Sequence, residues 1–207
     1  LTHQRNKQLK EQNSWIKPST GIGTLVIDTE TNGLLRNATR IHCVSLYWLE
    51  EDRTESFNDE PYAKNPKDLP MAGGAGYSIT TAVSWITMAE MVIGHNILGF
   101  DLPLIKRLYP FFEYPPVVID TLLLSRLYHP NLYDIDKKQK WKDMPDKLYG
   151  SHSLEAYGYR LDEHKGDYGK TTDWSEWSQE MQDYCEQDVI VTKKLCDHFH
   201  PYLSGLR

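Results

Sequence analysis

The run Thr24-Leu-Val-Ile-Asp28 is apolar at successive positions rather than at alternating ones. A strand of that kind must be covered on both faces, so it belongs at the centre of a sheet with helices above and below it. A second strand fits Ile41–Trp48, and shorter ones fit Met91–Gly94 and Val117–Ile119. The spacing predicts helices over Thr80–Glu90, from Asp101-Leu-Pro103 with proline tolerated in the first turn, and over Thr121–Tyr128. Another helix begins at Ser153–Tyr157, and a long one runs from Ser175 to His200. Glu50–Gly76 and the lysine-rich Asn131–Gly150 read as loops, the first with a short strand near Thr54–Phe57 and the second basic and flexible. Strands alternating with helices define the class as α/β, a mixed sheet flanked by helices.

Residues 1–20 are polar and end in Pro18-Ser-Thr-Gly21, which reads as a tail or linker and leaves 21–207 as a single domain. No apolar run approaches the ~18 residues of a membrane span. The first twenty residues also lack the apolar core of a secretory signal. The three cysteines, Cys43, Cys185 and Cys196, form no Cys-x-x-Cys pair. That argues against a disulfide framework and a zinc knuckle, and points to a reduced, cytoplasmic setting. A net charge of −6 weighs against a broad basic face for duplex DNA. It leaves room for an enzyme that holds a few nucleotides through metal ions, because clustered carboxylates themselves make the total acidic.

Three short motifs carry the chemistry. In Val26-Ile-Asp28-Thr-Glu30-Thr-Asn-Gly33-Leu34, side-chain alternation puts Asp28 and Glu30 on one face of the strand as neighbours. Such a pair repels unless a cation lies between its members, although alone its plainer reading is an acidic strand end running into an Asn-Gly turn. In Gly94-His-Asn96-Ile-Leu-Gly-Phe100-Asp101, the plain reading of Asp101 is a helix N-cap. In Asp183-Tyr184-Cys-Glu-Gln-Asp188, Asp188 falls on the apolar stripe Trp177, Met181, Tyr184, Val191, Leu195, Phe199. A carboxylate on a core-facing stripe is expensive unless it is paired or bound to metal. Tyr184 and Asp188 stand four residues apart on one helix face and reach one pocket. Together the motifs supply Asp28, Glu30, Asp101 and Asp188, hard oxygen ligands suited to Mg²⁺ or Mn²⁺. Two such ions ~4 Å apart suit phosphodiester hydrolysis.

The series Asp-x-Glu, Asp, Tyr-x-x-x-Asp resembles the DEDD (DnaQ-like) exonuclease superfamily in its tyrosine subclass. The longer stretches Ile119-Asp-Thr-Leu-Leu-Leu-Ser-Arg-Leu-Tyr-His129, Gly150-Ser-His-Ser-Leu-Glu-Ala-Tyr-Gly-Tyr-Arg-Leu161 and Lys165-Gly-Asp-Tyr168 resemble the proofreading domain of family A DNA polymerases of short-tailed phages. The resemblance covers roughly residues 24–200. It implies a ribonuclease H-like fold, two divalent cations, and 3′→5′ hydrolysis at a single-stranded or frayed DNA 3′ end, releasing nucleoside 5′-monophosphates. It also implies a polymerase partner, in cis or in trans, and no membrane. Asp28, Glu30 and Asp188 would hold one ion, Asp28 would bridge to a second, and Asp101 would support that second ion. Tyr184 would orient or deprotonate the attacking water. The sister subclass places His where Asp183 stands. Leu34 would wedge against the terminal base and Asn96 would bond near the 3′ end, with Thr29, Thr31 and Phe100 as further substrate contacts. In the basic segment, Lys137, Lys138 and Lys140 are candidates to track phosphates. An RNA exonuclease of the same superfamily and a non-catalytic binding module are the alternatives.

Overall fold

The computed structural model describes residues 22–60, 78–163 and 173–205. The tail at 1–20 and the Lys165–Tyr168 motif lie outside them. Five strands, β1 (Thr24–Thr31), β2 (Ile41–Trp48), β3 (Arg53–Asn58), β4 (Met91–Gly94) and β5 (Val117–Asp120), form one sheet in the order β3-β2-β1-β4-β5. β1 is central, antiparallel to β2 and parallel to β4, and β4 is parallel to β5. Among the described residues six helices flank the sheet: α1 (Ile79–Met88), α2 (Asp101–Leu108), α3 (Thr121–Tyr128), α4 (Leu132–Gln139), α5 (Leu154–Arg160) and α6 (Gln179–Leu203).

The apolar run of β1 is covered on both sides, as its pattern requires. Leu25 and Ile27 pack with Ala82, Val83 and Ile86 of α1 and with Leu102, Leu104 and Ile105 of α2. Val26, on the opposite face, packs with Tyr47, Ile93 and the α6 residues Val189 and Cys196. The outer half of α6 buries Val191, Leu195 and Phe199 against Leu132, Leu154 and Tyr157. Each such apolar side chain contributes about 1.5–3 kcal/mol when fully buried. Within the described residues no helix is long and apolar enough to cross a membrane.

Several boundaries differ from those read in the sequence. Residues 50–60 contribute a full edge strand, β3, paired with β2 from Arg53 to Asn58 and bearing the ion pair Arg53–Glu55. Charge on an edge strand blunts pairing with other chains. α6 begins at Gln179, because the Ser178 hydroxyl accepts the Met181 N–H at 3.1 Å and so caps the helix. Trp177 therefore precedes the helix, though it still packs beside Met181 and Cys185.

The basic segment 131–150 is not a loop throughout. Leu132, Ile135 and Asp136, at i, i+3 and i+4, turn inward and form α4, and a short 3-10 turn follows at Asp146–Leu148. The side chains of Asp136 and Arg160 are 0% and 4% exposed and form an ion pair. Asp136 accepts from Arg160 Nε at 2.9 Å and Nη2 at 2.7 Å, from Trp141 Nε1 at 2.8 Å and from the Gly150 N–H at 2.8 Å. One buried carboxylate thus ties α4, the following turn and α5 together.

Candidate active site

β1 carries the acid pair where its regular pairing ends. Asp28 stands opposite Ser45 and Glu30 opposite Cys43, and the register shifts between Glu30 and Thr31. Such irregularities bend a strand and re-aim its side chains, and they are common beside active sites. Both acids are half-buried. They lie with Cys185 of α6, one ligand atom of each within 4.8 Å of the others, and the Cys185 thiol donates to the Asp28 carbonyl at 3.4 Å. Asp188 is one turn further along α6 and only 6% exposed. Tyr184, half-buried, sits on the turn before, its ring edge-on to Trp174 at 6.5 Å. The helix thus presents Tyr184, Cys185 and Asp188 from consecutive turns.

Asp101 enters from another direction. Phe100 occupies the cap position of α2, so Asp101 is the first helical residue and not the N-cap. Its buried carboxylate accepts the Thr29 hydroxyl at 2.6 Å. Burial pushes its carboxyl up to about 7, against the opposing hydrogen bond from Thr29. A cation beside this carboxylate would offset that burial cost, and Asp28 and Glu30, which the structure brings together, present the oxygen donors that Mg²⁺ or Mn²⁺ prefers. The residues fit divalent ions. The Cys185 thiol, soft and pushed well up by burial, its Cys43 neighbour and the two acids, sits among hard donors. Sequence reasoning missed it because nothing in Tyr-Cys-Glu-Gln-Asp distinguishes a thiol facing the acids from one facing the core.

The other expected contacts divide. Thr29 and Thr31 are buried, one bonded to Asp101 and the other donating to the Gly33 carbonyl at 2.8 Å, so their side chains are engaged within the protein. Leu34 is 79% exposed in the turn after β1. That turn is held by Arg107 of α2, whose guanidinium donates to the carbonyls of Leu35 and Ala38, a brace not legible in the motif. Asn96 is exposed, with φ +61°, and Phe100 is half-buried. A Cβ at Gly99 would stand 2.5 Å from the Asn96 side-chain oxygen, so a larger residue there would displace that exposed amide. Lys137, Lys138 and Lys140 are exposed on α4 and at its left-handed end, with Lys137 Nζ 4.5 Å from the Tyr133 ring centre.

A mixed sheet whose central strand bears two acids, faced by a helix with a further buried acid, defines the ribonuclease H-like class of fold. The family model for the RNase H superfamily matches residues 25–200, and the chain belongs to that superfamily. Over 195 residues it is 32% identical to the DNA-directed DNA polymerases of Enterobacteria phage T3 and Escherichia phage T7. The match covers 84% of this chain and 26% of each polymerase, so the chain spans about a quarter of those relatives. Among solved structures, Brucella melitensis NrnC aligns with TM-score 0.55 at 20% identity, covering 88% of this chain and 75% of that one. The catalytic core of RRP6 from Trypanosoma brucei aligns with TM-score 0.55 at 11% identity, covering 100% and 46%. These likenesses show an RNase H-like fold.

Proposed function

We propose that the domain is a metal-dependent 3′→5′ exonuclease that releases nucleoside 5′-monophosphates from a single-stranded or frayed DNA 3′ end. We assign it to proofreading for a phage-type family A polymerase, in cis or in trans. The observation that carries this reading is the meeting of Asp28 and Glu30 with Cys185 of α6, the helix that also bears Tyr184 and Asp188, near the register shift of the central strand. Asp28, Glu30 and Asp188 would hold one divalent ion and Asp101 would support a second. When bound, such ions lower the pKa of water and neutralise charge developing on the phosphodiester oxygens. Tyr184, half-buried one turn before Asp188 on α6, orients the attacking water. The exposed Leu34 wedges against the terminal base, and the Asn96 amide bonds near the 3′ end. The 32% identity to two DNA-directed DNA polymerases favours DNA over RNA.

The deciding measurement compares initial rates in Mg²⁺ on primer termini that are matched, mismatched or single-stranded, and on RNA of the same sequence. Melting a matched terminus costs free energy that a mismatch has already supplied, so mismatched and single-stranded ends are cleaved faster. Equal rates on matched and mismatched ends would remove proofreading, and faster cleavage of RNA would move the assignment to an RNA exonuclease.

The lysines of α4 lead to a second prediction. Changing Lys137, Lys138 and Lys140 to alanine raises KM with kcat nearly unchanged. It also flattens the salt dependence of binding to single strands by a slope of ~0.7 per lost contact. An unaltered slope would leave α4 without a role on the strand.

A further inference from the structure

The turn that delivers Asn96 and Asp101 is built on a neighbouring strand end that no motif role has absorbed. Asp120, the last residue of β5, is buried. Its Oδ1 accepts the N–H groups of Leu122 at 2.9 Å and Leu123 at 3.4 Å, capping α3. The same oxygen accepts the Asn96 N–H at 3.0 Å, and Oδ2 accepts the Leu98 N–H at 3.2 Å. Thr121, next in sequence, donates to the Gly94 carbonyl at 3.2 Å and lies 2.9 Å from His95 Nδ1. Asn96 adopts a left-handed backbone, φ +61°, which asparagine tolerates better than other non-glycine residues, and the bond from its N–H to Asp120 helps to fix it there. Its carbonyl then accepts from Gly99 and Phe100 at 2.9 and 3.0 Å, and the chain passes directly into α2.

We propose that Asp120 is a positioning residue for the nuclease site. A helix cap requires only the two N–H groups of α3, yet this carboxylate spends half of its four bonds on the turn that aims the Asn96 amide. The inference rests on the reading of Asn96 as a contact to the 3′ end. It adds a residue that acts through Asn96 without touching substrate.

Two variants of the full chain separate the cap from the turn. Serine caps a helix about as well as aspartate, so Asp120→Ser keeps the start of α3 but is too short to receive Asn96 and Leu98. Asp120→Asn keeps one acceptor oxygen and turns an N–H₂ group toward a backbone donor. In Asp120→Ser, amide exchange at Asn96 and Leu98 quickens while the helical amides of α3 stay protected. KM for a single-stranded oligonucleotide rises about tenfold with kcat within about twofold, the signature of lost binding. In an Asn96→Ala background the same change adds less than about twofold, because residues acting through one contact are not additive. Asp120→Asn falls between wild type and serine. Unchanged exchange at Asn96 and Leu98, or KM effects that multiply in the double variant, would overturn the proposal. A wild-type chain inactive on DNA would instead overturn the nuclease reading, while the exchange data would still decide whether Asp120 holds the turn.

Discussion

Replacing Asp28 with alanine is expected to stop cleavage while the domain stays folded. Asp28 is half-buried near the register shift, two residues from Glu30 and on the same side of β1. If the acids hold catalytic ions, losing one ligand removes several kcal/mol of transition-state stabilisation. That corresponds to ~10³-fold or more in rate. Stability should move the other way in metal-free buffer, because two adjacent carboxylates repel and removing one relieves the other. Added Mg²⁺ or Mn²⁺ should raise the melting temperature of the wild type, since a ligand bound only to the folded state stabilises it, and should raise that of the variant less. Asp188→Ala should behave alike in rate. Its carboxylate is buried, so the small cavity it leaves is set against relief of a buried charge. The checks are single-turnover cleavage and calorimetry with and without the metal. A variant that keeps a tenth of wild-type activity at the native melting temperature would remove Asp28 from the metal site.

The second large effect concerns stability and lies far from the acids. Asp136→Ala strands the Arg160 guanidinium in the interior and deprives Trp141 Nε1 and the Gly150 N–H of their acceptor. Breaking a buried pair by removing one partner costs about 3–5 kcal/mol. For a domain of this size that is a fall of roughly 10 °C in melting temperature. The native carboxyl is held below its ordinary value: burial alone would raise it, and the bonds from Arg160, Gly150 and Trp141 outweigh that. The stabilisation is therefore complete above the unfolded value of about 3.9 and fades as pH falls through the lower native one. The gap in melting temperature between wild type and variant should be full near neutrality and should close below about pH 4. A variant within about 1 kcal/mol of wild type at neutral pH would contradict the anchoring role of Asp136.

What the sequence disclosed and what it concealed follow from the range of the interactions. β1 was legible because four successive residues, Thr24 to Ile27, are buried on both faces, and Asp188 because it interrupts an otherwise apolar stripe. α4 was concealed because lysines fill its solvent side, and the one buried acceptor, Asp136, resembles a surface aspartate until Arg160 is placed beside it. The bond from Thr29 to Asp101 joins residues 72 apart, and the Arg107 brace on the Leu34 turn spans a similar distance. Neither leaves a local pattern. The same holds for Asp120, whose position after a strand announces a helix cap but not the second pair of donors arriving from the Asn96 turn.

The site's components are spread across most of the chain. Asp28 lies in the first strand, and its contact with Cys185 spans 157 residues. Contacts so distant in sequence form slowly, because a long loop must close before any of them is rewarded. At ~5–20 residues per second of synthesis, the acid pair leaves the ribosome on the order of ten seconds before the helix that completes the site. Throughout that interval the nascent chain holds two carboxylates with no Tyr184 or Asp188 to work with them. On the reading proposed above, the capacity to cut would arrive only with the docking of α6, after the five strands of the sheet have been made.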